Sequence, residues 1–358
     1  MRSAHTIAVT TIGSLGRLIV GLVAVACVAS TASSCGSSDS TTTTSGPVTL
    51  RLGYFPNLTH ASALVGVEQG LFAAALGTDR LETSTFNAGP EAVTALLSGA
   101  IDATYIGPNP SINAFKQSNG AIRIISGATS GGARLVVKAG ITSPDQLRGK
   151  KLATPQLGGT QDVALRWWLK EQGLSTDANG GGDVSIQPQE SAQTLEAFRA
   201  GAISGAWVPE PWATRLVEEG GGTILVDEAS LWPDGQFVTT QLIVRKDFLD
   251  QHPDTVKRLL QGQIAANAAI AKNPASAQQS VIAGIKKITQ KELTSTLVAS
   301  AWEHLNFTND PVASSLQASA EHARSLGLPT TTELAGIFDL APLNQLLTAT
   351  GEKAITTP

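Results

Sequence analysis

From residue 48 onward, short strand-like segments alternate with helical ones, and this alternation restricts the chain to an α/β fold. Residues 48–53 alternate apolar and polar side chains, which predicts a strand. Residues 61–76 carry Leu64, Val67 and Leu71 at helical spacing, which predicts a helix with one apolar face. Further strands are predicted at residues 81–86, 101–106, 122–126 and 134–138. This rhythm is typical of a mostly parallel, doubly wound sheet.

A second unit with the same rhythm begins near residue 140. Its strands are predicted at residues 151–154, 184–188, 205–208 and 223–227. Residues 239–245 are predicted to return to the first unit as a strand. Helices are then predicted at residues 253–272, 274–285, 291–297 and 311–326. We therefore expect two similar α/β halves and a helical C-terminal part.

The first 35 residues have the character of a secretory signal. Arg2 and Arg17 surround a weakly polar start, an apolar run fills residues 18–28, and small residues lead to Cys35. The apolar run is too short to span a bilayer, because a spanning helix takes about 20 apolar residues. Residues 32–36 (ASSCG) resemble the bacterial lipoprotein box, in which the cysteine becomes lipidated. Residues 1–35 are therefore interpreted as a lipoprotein signal peptide.

The predicted lipidation site is Cys35, because residues 36–46 that follow it are rich in serine and threonine and typical of a disordered tether. Cys27 is a second candidate, and a secretory signal without lipidation is an alternative. Both cysteines of the chain lie in this leader, so the part beyond Cys35 has no thiol for a disulfide, a zinc site or a nucleophile.

The charge of the chain bears on its partners. The formal net charge is −4, and no basic run is longer than two residues, which argues against nucleic acid as a partner. No metal and no cofactor is expected. The length beyond the leader suffices for two domains with their own cores.

Residues 205–212 (GAWVPEPW) concentrate Trp207, Glu210 and Trp212 in a chain that is only 5% aromatic. Pro209 and Pro211 restrict the backbone, so these side chains are presented at a low entropic cost. Two indole rings and a carboxylate on a stiffened turn indicate the wall of a ligand cleft. The alternative is that both tryptophans pack in the core. Glu210 could bind an amine, or it could hold an arginine or a loop amide in place.

Loops that follow strands are the expected ligand contacts, because the carboxyl ends of parallel strands in an open α/β sheet meet at one crevice. The first such loop supplies Asn57, Leu58, Thr59 and His60. Asn57 and Thr59 offer neutral donors and acceptors, and His60 offers a titratable group. The alternative for Asn57 or Thr59 is a helix cap.

Two further strand ends of the first half are candidates. Gly107, Pro108 and Asn109 follow the strand at 101–106, where glycine lets a backbone N–H approach a ligand and the Asn109 amide could orient an anion. The alternative is a rigid loop that opens a helix. Residues 126–132 (SGATSGG) are predicted as a strand-end loop with Thr129 as a donor, or as a hinge without ligand contact.

In the second half, Gly158, Gly159, Thr160 and Gln161 lie between a predicted strand and a predicted helix. The backbone N–H groups and the helix dipole at such a position favour an anion. No Gly-Lys-Ser/Thr sequence follows, so a nucleotide-binding P-loop is disfavoured. Thr160 is alternatively only the N-cap of the helix.

Five segments resemble one family, in the same order and over nearly the whole chain beyond the leader. They are GYFPNLTHA at residues 53–61, YIGPNP at 105–110, ATPQLGGTQD at 153–162, GAWVPEPW at 205–212 and LWPDGQFVTTQLIVR at 231–245. The chain resembles the substrate-binding lipoproteins of ABC importers for nitrate, taurine and aliphatic sulfonates. The resemblance implies a type II periplasmic-binding-protein fold, in which two doubly wound α/β lobes, joined by two crossover segments, close on a small ligand. Lobe 1 is expected at residues 47–134 and 240–358, and lobe 2 at residues 135–239.

The implied function is that of an extracytoplasmic receptor, held by a lipid anchor at Cys35, that docks on a membrane permease as a monomer. We expect its ligand to be a small organic anion of the aliphatic sulfonate or taurine type. The alternatives are nitrate or bicarbonate, and a cationic or aromatic precursor such as a pyrimidine in a cage of Trp207, Glu210 and Trp212. An enzyme is disfavoured, because the chain has no Gly-x-Ser-x-Gly motif and no histidine pair at metal-binding spacing.

Overall fold

The computed structural model describes residues 46–177 and 179–357, and these residues form two β-sheets covered by helices. The predicted signal peptide, Cys27, Cys35 and all of the tether except Gly46 lie outside the described residues. Within the described part, no helix is both long and apolar enough to cross a membrane.

Strands and helices alternate along the described chain as the sequence predicts. The strands are β1 (Thr49–Tyr54), β2 (Arg80–Thr85), β3 (Ala103–Ile106), β4 (Ile122–Gly131), β5 (Ala133–Lys138), β6 (Lys151–Thr154), β7 (Ser185–Pro188), β8 (Gly205–Pro209), β9 (Gly222–Asp227), β10 (Val238–Arg245) and β11 (Leu305–Phe307). The helices are α1 (Ala61–Glu68), α2 (Leu71–Leu76), α3 (Gly89–Leu97), α4 (Pro108–Gln117), α5 (Thr160–Glu171), α6 (Ser191–Arg199), α7 (Trp212–Glu218), α8 (Lys246–Gln251), α9 (Pro253–Lys272), α10 (Pro274–Thr289), α11 (Ser295–Trp302), α12 (Ala313–Ser325) and α13 (Ala341–Ala349).

Both sheets are mixed, which corrects the prediction of mostly parallel sheets and leaves the α/β class confirmed. The first sheet has the strand order β11-β4-β10-β3-β1-β2, and the second has the order β7-β6-β8-β5-β9. β1 is parallel to β2 and β3, and β6 is parallel to β7 and β8. β10 lies antiparallel between β3 and β4, as β5 does between β8 and β9. These two reversed strands are the ones that arrive from the other sheet, whereas the parallel ones are joined by helical crossovers within a sheet.

Two loops of the sequence prediction belong to regular structure, the first because of long-range strand pairing and the second because a helix begins earlier than predicted. Residues 126–132 are polar and small, yet β4 continues to Gly131, since β10 pairs with one of its edges and β11 with the other. Thr129 therefore lies inside a strand. Residues 107–110 do not precede a helix but begin one, because α4 starts at Pro108. Helices α7, α8 and α13 and strand β11 have no counterpart in the prediction.

Both faces of the central strands are buried in each sheet, and successive residues of these strands face opposite apolar clusters. In β10, Leu242 and Val244 pack in one cluster and Ile243 packs in another. In β8, Trp207 packs on the face opposite to Val208. This alternation between two buried faces is expected for strands that helices cover on both sides.

The chain passes between the two sheets at two neighbouring places. Gly131 and Gly132, with φ of 82° and 75°, connect β4 to β5 in a left-handed conformation that glycine adopts without a steric cost. Residues 228–237 form the return connection to β10. The N–H of Gly131 donates to the carbonyl of Phe237 at 3.3 Å, and the Thr239 hydroxyl donates to the carbonyl of Gly131 at 2.5 Å. Hydrogen bonds therefore hold the two connections side by side.

Candidate functional site

A cavity of about 450 Å³ lies where the loops after β1, β2 and β3 of the first sheet meet the loops after β6, β7 and β8 of the second. The lining residues of the first set are 55–57, 59–60, 85–89, 107 and 110, and those of the second set are 155–156, 159–161, 190–192, 209, 211–212 and 215. Thr239 and Thr240 of β10 and residues from the end of α10 complete the wall. The cavity is thus the crevice at the carboxyl ends of the strands, where open α/β sheets bind ligands.

The structure brings eight of the predicted site residues to the cavity wall and places seven elsewhere. The residues that line the cavity are Asn57, Thr59, His60, Gly107, Gly159, Thr160, Gln161 and Trp212. The residues that do not line it are Leu58, Pro108, Asn109, Thr129, Gly158, Trp207 and Glu210.

Trp207 is a core residue, so its interpretation as a cleft wall is corrected. Its side chain is 0% exposed and packs with Leu135 and Trp168 in the apolar cluster of the second sheet. The indole N–H donates to the Glu228 carboxylate at 2.7 Å. Burial raises the pKa of Glu228 to about 7, and the indole hydrogen bond opposes that rise. The alternative of core packing therefore holds for Trp207, whereas Trp212 is half-buried and lines the cavity.

Glu210 is also fully buried, and it holds an arginine and a loop amide rather than facing the cavity. Its carboxylate pairs with Arg134 and accepts a hydrogen bond from the backbone N–H of Thr214 at 3.1 Å. Its own N–H donates to the carbonyl of Gly132 at 2.8 Å, and its carbonyl accepts from the N–H of Leu58 at 3.2 Å. Leu58 itself is a core residue. The cage of two indoles and a carboxylate suggested for a pyrimidine is therefore not formed.

Asn109 and Thr129 do not line the cavity, and their side chains form hydrogen bonds that hold neighbouring segments in place. The Asn109 amide donates to the carbonyl of Ser319 at 3.1 Å, which ties the first turn of α4, with Pro108, to α12. The Thr129 hydroxyl donates to the carbonyl of Thr59 at 2.7 Å, which fixes the loop after β1. Both side chains are buried, so their predicted ligand contacts are corrected to contacts within the fold.

The beginnings of α4 and α5 approach each other closely across the cavity. A Cβ atom on Gly107 would lie 2.2 Å from the Thr160 hydroxyl, which only a glycine at this position avoids.

Gly158 donates its N–H to the carboxylate of Asp162 at 3.0 Å, and Asp162 is paired with Arg166 at 2.9 Å. The negative charge in the first turn of α5 is thus compensated within the helix.

His60 offers the cavity a neutral imidazole, which corrects its description as a titratable group. Its ring stacks on Phe55 with the centroids 4.3 Å apart, and its Nδ1 accepts the N–H of Phe55 at 3.3 Å. Burial lowers its pKa to about 3, so the ring is uncharged near neutral pH and its proton lies on Nε2.

Four helices begin at the cavity, and their first turns have no side-chain cap. The N-cap residues of α3, α4, α5 and α6 all line the cavity, and none of these caps makes a side-chain hydrogen bond to its own helix. Those N-cap residues are Ala88, Gly107, Gly159 and Glu190. Each helix start carries about half a positive charge, which favours a negative group in the cavity and is partly offset by the carboxylate of Glu190.

Among the polar side chains of the cavity wall that sequence reasoning missed are Asn87, Glu190 and Arg215. Asn87, after β2, donates to the Glu190 carboxylate, after β7, at 3.2 Å, and so bridges the two sets of loops. Arg215 follows Trp212 by one helical turn and pairs with Glu219 four residues later. That spacing is a helix signal that could have predicted α7 and its cavity face. No group of three or more His, Cys, Asp or Glu side chains in the described ranges could hold a metal ion.

Two mixed α/β units with a cavity at the carboxyl ends of their strands define the fold of periplasmic binding proteins, and solved structures confirm it. The alkanesulfonate-binding protein SsuA from Xanthomonas axonopodis pv. citri, bound to MOPS, aligns with a TM-score of 0.70 and 18% identity over 83% of this chain and 100% of that chain. The periplasmic nitrate-binding protein NrtA from Synechocystis PCC 6803 aligns with a TM-score of 0.71 and 19% identity over 85% of this chain and 89% of that chain. At these identities the likeness shows the fold alone.

The chain belongs to the NMT1-like family, whose sequence profile matches residues 43–285. It is 30% identical over 190 residues to the taurine-binding periplasmic protein of Escherichia coli (strain K12), which covers 53% of this chain and 57% of that protein. It is 26% identical over 255 residues to the bicarbonate-binding protein CmpA of a Synechococcus species, which covers 61% of this chain and 53% of that protein. The match thus spans little more than half the length of these relatives.

Proposed function

We propose that this protein is the solute-binding component of an ABC importer and that it captures a small organic anion of the aliphatic sulfonate or taurine type. The observation that carries the proposal is the convergence of four uncapped helix starts on one cavity. Backbone N–H groups at helix starts bind anions, and a low-dielectric cavity strengthens that attraction. The relatives, named for taurine, alkanesulfonate, nitrate or bicarbonate, support a ligand that carries a negatively charged group.

Capture takes place by closure of two lobes, residues 47–134 with 240–358 and residues 135–239. Each lobe contains one sheet, apart from the residues at the two connections, and the cavity wall takes loops from both. Rotation about Gly131 and Gly132 and the return connection would break the hydrogen bond between Asn87 and Glu190 and open the cavity to solvent.

The receptor acts outside the cytoplasm as a monomer and is held to the membrane by a lipid at Cys35. The leader sequence and the serine- and threonine-rich tether support this arrangement, as do the relatives named as periplasmic proteins. The anchor raises the effective concentration of the loaded receptor near its permease. The protein performs no chemistry on its ligand and needs no cofactor.

Nitrate or bicarbonate is the second candidate, favoured by the similarity to CmpA and to NrtA. Either ion would use the same helix starts. The pyrimidine alternative has lost its structural support, because Trp207 and Glu210 are buried away from the cavity.

Thermal unfolding with a ligand panel tests the proposed function. The purified protein is heated with taurine, short alkanesulfonates, nitrate, bicarbonate and a pyrimidine amine, with sodium chloride at equal ionic strength as the control. A ligand at about 100 times its Kd stabilises the folded state by about 2.7 kcal/mol, which is visible as a higher melting temperature. A rise with the sulfonates supports the proposal. A rise only with the pyrimidine amine or with uncharged compounds contradicts it.

A further inference from the structure

Arg215 stands out in the cavity wall because it combines a positive charge with partial burial. Its side chain is 18% exposed, whereas Lys291, a second cation of the wall, is an exposed residue. The carboxylate of Glu190, which also lines the wall, accepts a hydrogen bond from Asn87. A group that carries a negative charge into the cavity therefore meets Arg215 as its partly desolvated cationic partner.

The guanidinium group of Arg215 is held in one orientation by two neighbours on α7 and just beyond it. Its Cζ lies 4.7 Å from the centroid of the Trp212 ring. Its Nε and Nη2 donate to the two carboxylate oxygens of Glu219 at 2.7 and 3.0 Å. The hydrogen bond from Arg215 lowers the pKa of Glu219, so this carboxylate stays ionised and keeps the fork in place.

Part of the donor capacity of Arg215 is unused. Glu219 takes one proton from Nε and one from Nη2, and no described residue accepts a hydrogen bond from Nη1. Three of the five guanidinium protons are thus free for a ligand. A planar fork with free donors matches the oxygen atoms of a sulfonate or carboxylate group.

The size and the wall of the cavity favour an organic ligand over a bare inorganic ion. Sites for organic molecules measure about 300–1,000 Å³, and this cavity, at about 450 Å³, falls in that range. An ion of four heavy atoms would occupy on the order of 60 Å³, about the space of two water molecules, and leave most of the cavity to solvent. The rings of Phe55, Phe86 and Trp212 also line the cavity, and their apolar surface suits a hydrocarbon body.

From these observations, and on the basis of the proposed function, we infer that Trp212 and Arg215 together determine specificity. Arg215 binds the acid group of the ligand with its free donors, and Trp212 packs against the hydrocarbon body. The preferred ligand is an organic monoanion with several carbon atoms, and nitrate and bicarbonate are rejected because they have no hydrocarbon body to pack against the aromatic wall.

Calorimetric titration with matched ligands tests the inference. The ligands are 1-butanesulfonate, the uncharged 1-butanesulfonamide, methanesulfonate and nitrate. Wild-type protein is expected to prefer 1-butanesulfonate over each of the others. Arg215→Gln is expected to lower the affinity for butanesulfonate by about 10- to 100-fold, the size of one hydrogen bond to a charged group, and to leave butanesulfonamide binding unchanged. Arg148→Gln is the matched control, because Arg148 is an exposed arginine of the same half that pairs with Asp183 outside the cavity.

Further variants separate a ligand contact from a structural role. Arg215→Lys keeps the charge but not the planar fork, so it should fold and still lose butanesulfonate affinity. Trp212→Ala should weaken butanesulfonate binding more than methanesulfonate binding.

The outcomes distinguish the inference from the proposed function. If the wild-type protein binds none of the anions, the proposed function fails. If it binds butanesulfonate and both Arg215 variants bind it as tightly, the function stands and the inference is overturned. Preferential binding of nitrate by the wild-type protein would overturn the inference and leave an importer of inorganic anions.

Discussion

Two arginine–glutamate pairs lie on either side of the turn after β8, and they differ in what surrounds them. In the pair of Arg134 with Glu210 the side chains are 4% and 0% exposed. In the pair of Arg215 with Glu219 they are 18% and 30% exposed. The first pair joins residues that are 76 positions apart, and the second joins residues four positions apart on one helix turn.

In the buried pair both Nη atoms of Arg134 have partners within the described part of the protein, and only its Nε has none there, whereas in the cavity pair Nη1 of Arg215 has no partner there. Arg134 also donates to the Thr214 hydroxyl at 3.0 Å, and its Nη1 lies 3.0 Å from Nε2 of His304. The His304 ring accepts this hydrogen bond in its neutral form, because burial and the nearby Arg134 lower its pKa. The Arg134–Glu210 pair is a brace between the strands and the loop after β1, and the Arg215–Glu219 pair presents donors to a ligand.

The largest expected effect is on stability. Glu210→Gln leaves the charge of Arg134 buried without a counter-ion, which should lower the free energy of unfolding by about 3–5 kcal/mol. Glu219→Gln breaks a partly exposed pair within one helix and should cost less than about 1 kcal/mol. Urea unfolding of the two variants beside the wild-type protein measures the difference. If the two variants lose equal free energies of unfolding, the Arg134–Glu210 and Arg215–Glu219 pairs do not differ in their structural role.

Trp207 and Trp212 differ in the same way as the two ion pairs, because Trp207 is buried in the core and Trp212 lines the cavity. The burial around Trp207 can be tested through the titration of Glu228. The carboxyl of Glu228 accepts a hydrogen bond from the buried Trp207, and burial raises its pKa to about 7. The folded protein then holds this proton more tightly than the unfolded chain, so the contribution of Glu228 to stability should fall by about 3 kcal/mol as the pH rises from about 4.5 to about 7. His60, whose pKa is lowered by burial, changes stability in the opposite direction over this range, so the contribution of Glu228 is measured as the difference between the wild-type protein and Glu228→Gln. The variant should therefore gain stability relative to the wild-type protein as the pH rises through this range. Urea unfolding at several pH values measures it, and an unchanged pH profile in the variant would contradict the assignment to Glu228.

The local pattern of the sequence predicts the fold well because each strand and helix buries apolar residues at its own spacing. The long α9 is correctly predicted from residue 253 to residue 272. The prediction fails where distant pairing decides the outcome. Residues 126–132 have the composition of a loop and become a strand, because β10 and β11, more than 100 residues later in the chain, cover both edges of β4.

The candidate site is predictable in part for the same reason. Strand-end loops are local features, so Asn57, Thr59, Gly107 and Thr160 could be placed at one crevice from the order of strands and helices. The partner of Glu210 could not be found in this way, because Arg134 is remote in sequence and meets it only when β5 pairs with β8. Whether a polar residue braces the fold or faces a ligand depends on that tertiary contact.

The close approach of α4 and α5 at the cavity can be tested by adding a side chain at Gly107. Gly107→Ala would place a Cβ atom 2.2 Å from the Thr160 hydroxyl and hold the starts of α4 and α5 apart. We expect an affinity loss of about tenfold for the ligand, equivalent to about 1.4 kcal/mol. Thr160→Ala removes the obstructing atom, so the double variant should bind as tightly as Thr160→Ala alone. Calorimetric titration of the three variants measures this, and additive losses would show that the contact does not limit closure.

The smallest expected effect concerns His60, a cavity residue that is as deeply buried as the brace. Because its pKa is about 3, its ring stays neutral and keeps its proton on Nε2 throughout the range from about pH 5 to about pH 8. Ligand affinity should therefore change by less than about twofold across that range, since a sulfonate also keeps its charge there. His60→Gln, which retains a neutral donor, should bind more tightly than His60→Ala. A gain of tenfold or more toward pH 5 in calorimetric titration would mean that His60 becomes a cation that pairs with the ligand. In that event a third positive group would join Arg215 and the helix starts in setting the affinity of the cavity.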